Sequence, residues 1–301
     1  MNHTKKLIIN ADDFGFSPAV NSAILNGAIA GNITAASVMV NMPFAEDAAR
    51  SSQNCRNGLS LGLHFTLTSG KPVAEPSKIP ALVDSQGLFR FGFLELTRAL
   101  RSKKRDLFLQ QIQIEFFAQM ELMDRFVSKY RLRFDHLDSH RHIHVIPGIF
   151  DLLKKESEKR NLPLRIPREN FGGFKRTLKR FHAWFPQGFI KRAILNHYLK
   201  SIKQNAGYFG ILESGKINER SLREMIRVVE TDKSNFDQYE INVHPSDFSV
   251  AQNDPLLCCS KGDYDFHHSP NRAKEFLALQ SVKALNKRNI QLAGFSGVYD
   301  A

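Results

Sequence analysis

The chain is 301 residues long, 42% hydrophobic and 24% charged, a composition that can bury one large core and excludes a disordered or fibrous protein. No stretch approaches the roughly 20 apolar residues of a membrane span, and the three cysteines, Cys55 and the adjacent Cys258 and Cys259, suit neither a disulfide framework nor a CxxC metal site. The net charge of +12 points to an anionic partner and is concentrated: residues 165–203 hold ten Lys or Arg against the single acid Glu169, which leaves the rest of the chain near neutral.

In chain order, the opening residues are too short an apolar run for a signal-peptide core, which predicts a cytoplasmic protein. Lys6 to Ala11 is an apolar, β-branched strand that ends in Asp12-Asp13-Phe14-Gly15. Ser17-Pro18 reads as a helix cap followed by Pro at the first helical position, and the helix runs to about Ala30. Ala35 to Asn41 is a second strand, Pro43 to Ser52 a helix, and Leu59 to Leu67 a third strand. Thr68 to Gly92 is rich in Gly and Pro and long for a connection, a candidate lid or substrate loop. Phe93 to Tyr130 has helical spacing. Arg133 to His144 reads as a strand running into a histidine-rich turn. Pro147 to Arg160 is a helix and Leu162 to Pro167 a fifth strand. Beyond the basic segment come strands at Tyr208 to Leu212, Tyr239 to Val243 and Ile290 to Phe295, with helices at Asn218 to Val229 and Ser269 to Lys287. Strand and helix alternate seven or eight times, which predicts a distorted (β/α) barrel of seven to eight parallel strands over residues 1–301, one domain with a basic helical insertion at about 170–205. An open doubly wound sheet is the alternative; the first strand lacks the GxGxxG of a dinucleotide site.

In such a barrel, chemistry sits at the C-terminal ends of the strands, and the polar residues out of pattern fall there: Asp12 and Asp13, His64, the run Asp138, His140, His142, His144, and His244. Each alone has a structural explanation, as a core histidine or a turn cap. Together they converge. His136, Asp138, His140, His142 and His144 alternate strictly, so a continuing strand puts all five on one face. Burying imidazoles beside carboxylates is costly unless something pairs them, and a divalent metal is a natural partner. One Asp and two His leave open positions for water and substrate. A metal such as zinc lowers the pKa of bound water to about 7, a second carboxylate can take the proton, and a His on the opposite side can protonate a leaving nitrogen.

Ala-Asp-Asp-Phe-Gly at 11–15, Gly-Leu-His-Phe at 62–65, His-Leu-Asp-Ser-His-Arg-His-Ile-His at 136–144 and Val-His-Pro at 243–245 resemble, in order, the motifs of the YdjC-like (ChbG) carbohydrate deacetylases. The resemblance implies a distorted barrel, a divalent metal (zinc first, magnesium or another divalent ion as alternatives) on Asp13, His64 and His140, Asp12 as general base and His244 as general acid. Asp138 would orient a histidine; His142 and His144 are assigned to contacts behind the ligands or to the sugar, with plain structural roles as the alternative. Arg141 departs from the family pattern, which often has His there, and no role is transferred to it.

The basic segment carries an apolar stripe at Phe174, Leu178, Phe181 and Phe185 among Lys175, Arg176, Lys179 and Arg180. A second stripe, at Ile190, Ile194, Tyr198 and Ile202, runs beside Lys191 and Arg192, with Trp184 at the joint. Two short basic amphipathic helices suit an anionic membrane interface, although such stripes also face cores. This segment and residues 207–215 resemble the hopanoid-associated (HpnK) branch of the family, which implies an N-acetylglucosaminyl lipid as substrate at the inner membrane face. The alternatives are a soluble deacetylase acting on chitobiose or its phosphate, and a non-catalytic membrane or nucleic-acid binding protein with a vestigial metal site. No nucleic-acid reader motif accompanies the basic patch. A homodimer is left open.

Overall fold

The computed structural model describes residues 4–55, 58–169, 186–204, 206–232, 236–251, 259, 261–280, 282 and 289–295. Its centre is strand β1 (Lys5–Phe14), where Leu7, Ile8 and Ile9 are buried. On one side β1 pairs with β2 (Ala35–Val38), followed by β3 (Ser60–Phe65) and β4 (Phe134–Ser139). On the other it pairs with β6 (Gln238–Val243), then β5 (Gly207–Phe209). Strand β7 (Ile290–Leu292) pairs with the first residues of β1, ahead of β2. All seven strands are parallel, as βαβ crossovers require.

Among the described residues no continuous ladder closes the sheet. The expected fifth strand at 162–167 is reduced to one bridge, Leu164 opposite Leu137. Pro163 and Pro167 lack the N–H groups a strand needs. The same segment nevertheless spans the gap between the sheet edges. Leu137 N donates to the Pro163 carbonyl at 2.8 Å on the β4 side. Farther on, the buried Glu169 carboxylate accepts from Gly210 N at 3.3 Å and Leu212 N at 3.1 Å, just past β5. A backbone bridge at one end and a side chain at the other are its contacts across the gap, in a sheet that is not closed but is consistent with a distorted barrel.

Helices pack outside. Ser17 caps α1 (Pro18–Ile29), accepting from Val20 N at 3.3 Å. Helix α2 is Ala45–Ser52. The expected helix over 93–130 is two, α3 (Phe93–Ala99) and α4 (Arg105–Tyr130). Phe108, Ile112, Phe116, Met120 and Met123 form the buried stripe of α4, each worth about 1.5–3 kcal/mol on full burial. The polar residues Gln111, Glu115 and Gln119 share that buried side. Glu115 accepts from Val73 N and Ala74 N, both at 2.9 Å, Gln111 from Ala81 N at 2.8 Å, and Gln119 from Thr66 N at 3.0 Å. The long 68–92 segment is thus pinned to α4 through its first half. Helix α5 is Ile149–Arg160.

Of the basic insertion, Lys175, Arg176, Lys179, Arg180 and Trp184 lie outside the described residues, as does the Lys191 side chain. The remainder forms α6 (Pro186–Tyr198). Leu195 and Leu199, neighbours of the expected stripe, pack with Val145, Phe150, Tyr208 and Ile211, while Tyr198 and Ile202 are only partly buried against them. Arg192 Nε donates to the Glu169 carbonyl at 3.2 Å. Arg165, counted among the basic residues, is 2% exposed inside the barrel. Helix α7 (Glu219–Thr231) is capped by Asn218. After β6 come α8 (Phe248–Ala251), α9 (Lys261–His267) and α10 (Pro270–Leu279), the last capped by Ser269; residues 281 and 283–287 of the expected last helix are outside the described residues. No helix among the described residues is long and apolar enough to cross a membrane.

Candidate metal centre and active site

Asp12 and Asp13 are adjacent, and alternation along a regular strand sends them to opposite faces. The register of β1 against β2 slips between Ala11 and Phe14, and Asp13 takes φ +68°. This bulge turns both carboxyls inward; Asp is one of the few residues that tolerate the left-handed region. Gly15 (φ +98°) completes the turn where an added Cβ would stand 2.7 Å from Ala45 Cα. Gly62 in β3 lies opposite His136 in β4, and a Cβ there would meet the imidazole at 2.2 Å.

Strand β4 ends at Ser139 because Arg141 and His142 take φ of +55° and +58°. The five alternating residues therefore do not share one face. His136 stays in the barrel, stacked on Phe295 with centroids 3.9 Å apart; burial keeps it neutral, lowered to about 3. Asp138 faces His64. His140 reaches Asp13. His142 lines the cavity. His144 turns away: Nδ1 meets Ser139 Oγ at 2.6 Å and Nε2 meets the Arg165 carbonyl at 3.0 Å. With both ring nitrogens used, it is a strut for Arg165 and has none left for a sugar.

The His64 Nδ1–H donates to Asp138 Oδ1 at 2.7 Å, which points Nε2 toward Asp13 Oδ1 at 3.3 Å. His140 Nδ1 meets Thr68 Oγ1 at 2.7 Å, and its Nε2 is 3.9 Å from the same Asp13 oxygen. Asp13 Oδ1 is buried without a hydrogen-bond partner. Ligand atoms about 2.1 Å from one tetrahedral ion stand roughly 3.4 Å apart, so this donor set fits a divalent metal. The charges agree. Burial disfavours a cationic His64, yet Asp12, Asp138 and Asp13 outweigh it and raise the imidazole to about 10. Burial also works against the Asp13 carboxylate, but His64, His267 and His140 hold it well below the usual range. The cluster calls for positive charge at Nε2 of His64.

By distance alone, Asp12, His64 and Asp138 also form a group able to hold an ion. The two carboxylates already face a cation. Arg165 donates to both Asp12 oxygens at 2.9 and 3.1 Å, lies 2.6 Å from Asp138 Oδ2 and donates to Glu240 Oε1 at 2.8 Å. Asn10 and Asn242 add bonds to Asp12 at 2.8 and 2.6 Å, and Ser37 donates to Asp138 at 2.6 Å. A guanidinium already fills the cation's place there, so Asp13 is the carboxylate with an oxygen to offer. Burial, with Asp12 and Asp138 competing for the one guanidinium, leaves Glu240 raised to about 7.

His244 Nε2 stands 3.9 Å from Asp12 Oδ2, beside it rather than across the site as expected from the sequence. Its backbone is clamped by α10: Glu275 accepts from its N–H at 2.8 Å and Arg272 donates to its carbonyl at 3.3 Å. The cavity over these residues holds about 480 Å³. Its lining includes the polar Asp12, Asp13, His64, His140 and His244, with Arg141, His142, Ser214 and Asp263, and the apolar Phe93, Leu94, Ile194, Leu195 and Phe266.

A family profile described as YdjC-like protein matches residues 6–288. The chain belongs to the YdjC-like family. This YdjC-like chain is 26% identical to a carbohydrate deacetylase of Clostridium beijerinckii over 97% of its own length and 100% of that protein. It is 39% identical over 158 residues to a carbohydrate deacetylase of Geobacillus stearothermophilus, covering 52% of this chain and 58% of that one. With a chitooligosaccharide deacetylase of Yersinia enterocolitica it shares 33% identity over 69% of this chain and 78% of the other. The alignment thus spans a little over half the length of the Geobacillus relative. A solved structure from Enterococcus faecalis, named for a provisional role in cellobiose-phosphate cleavage, matches with a TM-score of 0.67 at 24% identity over 98% of this chain and 99% of that one, which shows the shared fold.

Sequence reasoning missed Arg165, Asp263 and His267. A lone Arg within the apolar stretch Leu164-Arg165-Ile166 was a signal, read instead as part of the basic patch. Asp263 bonds Arg141 at 2.6 Å and Ser69 at 2.8 Å; nothing local in Lys261–His268 marks its role.

Proposed function

We propose that this protein is a metal-dependent hydrolase that removes the N-acetyl group from an N-acetylated amino sugar. The observation that carries the reading is the unpartnered Asp13 Oδ1 faced by His64 and His140, beside Asp12 and His244. Asp13, His64 and His140 would hold the ion, which when bound supplies Lewis acidity and a water acidified to about pKa 7. Asp12, held by Arg165, Asn10 and Asn242, is the proton acceptor at its Oδ2. His244 Nε2 donates the proton that an amide nitrogen needs in order to leave. Asp138 fixes the His64 tautomer. Phe93 and, from α6, Ile194 and Leu195 add apolar surface to the cavity.

The substrate we favour is an N-acetylglucosaminyl lipid at the inner membrane face, as in the hopanoid-associated branch. Support comes from the five apolar residues Phe93, Leu94, Ile194, Leu195 and Phe266 that line the same cavity as the polar groups. They are more apolar surface than one pyranose face covers, and the first carbons of a lipid suit the remainder. The names of the Yersinia and Serratia relatives, both chitooligosaccharide deacetylases, support a second reading, a soluble chito-oligosaccharide substrate. Acetate release from the glycolipid in vesicles and from N,N′-diacetylchitobiose separates the two. Asp12→Asn is expected to lower the rate on the true substrate by about 10²–10⁴-fold. Turnover of chitobiose alone sinks the lipid assignment; turnover of neither sinks the substrate class.

A further inference from the structure

His267 ends helix α9 and is 3% exposed, and neither of its ring nitrogens has a hydrogen-bond partner. A buried imidazole left so is unfavourable. Its neighbour behaves otherwise: the His268 ring stacks on Tyr264 with centroids 3.9 Å apart, and its Nδ1 meets the Tyr264 carbonyl at 2.9 Å. The His267 ring is stacked on Phe16, centroids 3.8 Å apart, and Phe16 belongs to the turn that carries Asp13. That stacking sets the ring plane and brings Nε2 to 3.5 Å from Asp13 Oδ2, slightly beyond an ordinary N–H···O bond of roughly 2.7–3.2 Å. The helix is anchored at the site by Asp263, through Arg141 and Ser69.

The two oxygens of Asp13 are therefore divided. Oδ1 faces His64 and His140, and Oδ2 faces His267. We propose that His267 is a positioning residue for the metal site: it holds Asp13 Oδ2, so that Oδ1 is presented to the ion between His64 and His140. A carboxylate on a left-handed backbone at a strand bulge needs such a hold, because Asp13 Oδ1 has no hydrogen bond of its own. The proposal rests on the metal reading above and ties the C-terminal α9 to a centre otherwise built from the first half of the chain.

The test compares wild type, His267→Gln and His267→Asn. The Gln amide nitrogen reaches the place of Nε2, and the shorter Asn does not. Zinc affinity is measured by competition with a chromophoric chelator, the cobalt-loaded visible spectrum is recorded for each, and metal-free melting curves check the fold. His267→Asn is expected to weaken zinc binding about 10–100-fold, with zinc affinity and cobalt bands of His267→Gln close to wild type. Equal affinity in all three proteins overturns the positioning role while leaving the metal site standing. A His267→Gln variant as weak in zinc binding as His267→Asn overturns it as well, because the imidazole itself, and not a donor at the place of Nε2, is then what the ion needs. A wild type that binds neither metal removes the metal reading itself and this proposal with it.

Discussion

Arg165→Met tests the barrel interior. The wild-type guanidinium is buried and lies within 2.6–3.1 Å of carboxylate oxygens on Asp12, Asp138 and Glu240. Met fills a similar volume but leaves those acids facing one another without their cation. Removing one partner of a buried pair costs about 3–5 kcal/mol, and here one cation serves three acids, so the loss at pH 7 should be at least that. Against a total stability of roughly 5–15 kcal/mol, the variant is expected near its folding threshold. The loss should also depend on pH. In the wild type, burial disfavours the Asp138 carboxylate, but Arg165 and His64 outweigh it and hold its pKa well below normal. Its contribution is present above the unfolded value of 3.8 and is lost only as pH falls through the lower folded value. Without Arg165, burial and mutual repulsion raise the acids above their unfolded values. Their destabilisation is then absent below those unfolded values and grows as pH rises through the raised ones. Urea unfolding at pH 7 and pH 5 measures both effects, with the deficit shrinking at pH 5. A deficit under about 1 kcal/mol at pH 7, the range of an exposed pair, or one equal at both pH values, would refute the reasoning.

Two further predictions concern the scaffold. Gly62→Ala would set a methyl 2.2 Å from the His136 imidazole, and overpacking of this kind costs about 1–3 kcal/mol; a melting temperature equal to wild type would contradict it. Glu115→Ala removes the acceptor for Val73 and Ala74, each stranded amide costing about 1–3 kcal/mol. Hydrogen exchange at those two amides should speed up, and unchanged protection would show that the 68–92 segment is held by something else.

Much of the barrel was legible because parallel strands bury both faces and read as apolar runs between capped helices. Ser17-Pro18 and Ser269-Pro270 mark their helices by capping chemistry, which the structure bears out. Strand 162–167 reads as apolar and extended, yet its two prolines cannot donate to a ladder, and Arg165 between them serves the interior. The histidine run misled in another way. Strict alternation implies a continuing strand, but Arg141 and His142 take left-handed backbone, which sends His140 to Asp13 and His144 to Ser139. The break between α3 and α4 carries neither Gly nor Pro, so periodicity ran through it. His267 and Asp263 could not be placed from sequence, since their value depends on α9 docking against a turn some 250 residues earlier.

The measurement that bears most directly on the central claim is acetate release from an N-acetylglucosaminyl substrate by metal-stripped and zinc-reloaded protein, for wild type and Asp13→Ala, with bound zinc quantified in each. The account predicts that stripping abolishes release, that zinc restores it in the wild type, and that Asp13→Ala neither retains zinc nor turns over. Full activity of the stripped protein, or undiminished zinc binding and turnover by Asp13→Ala, would contradict it.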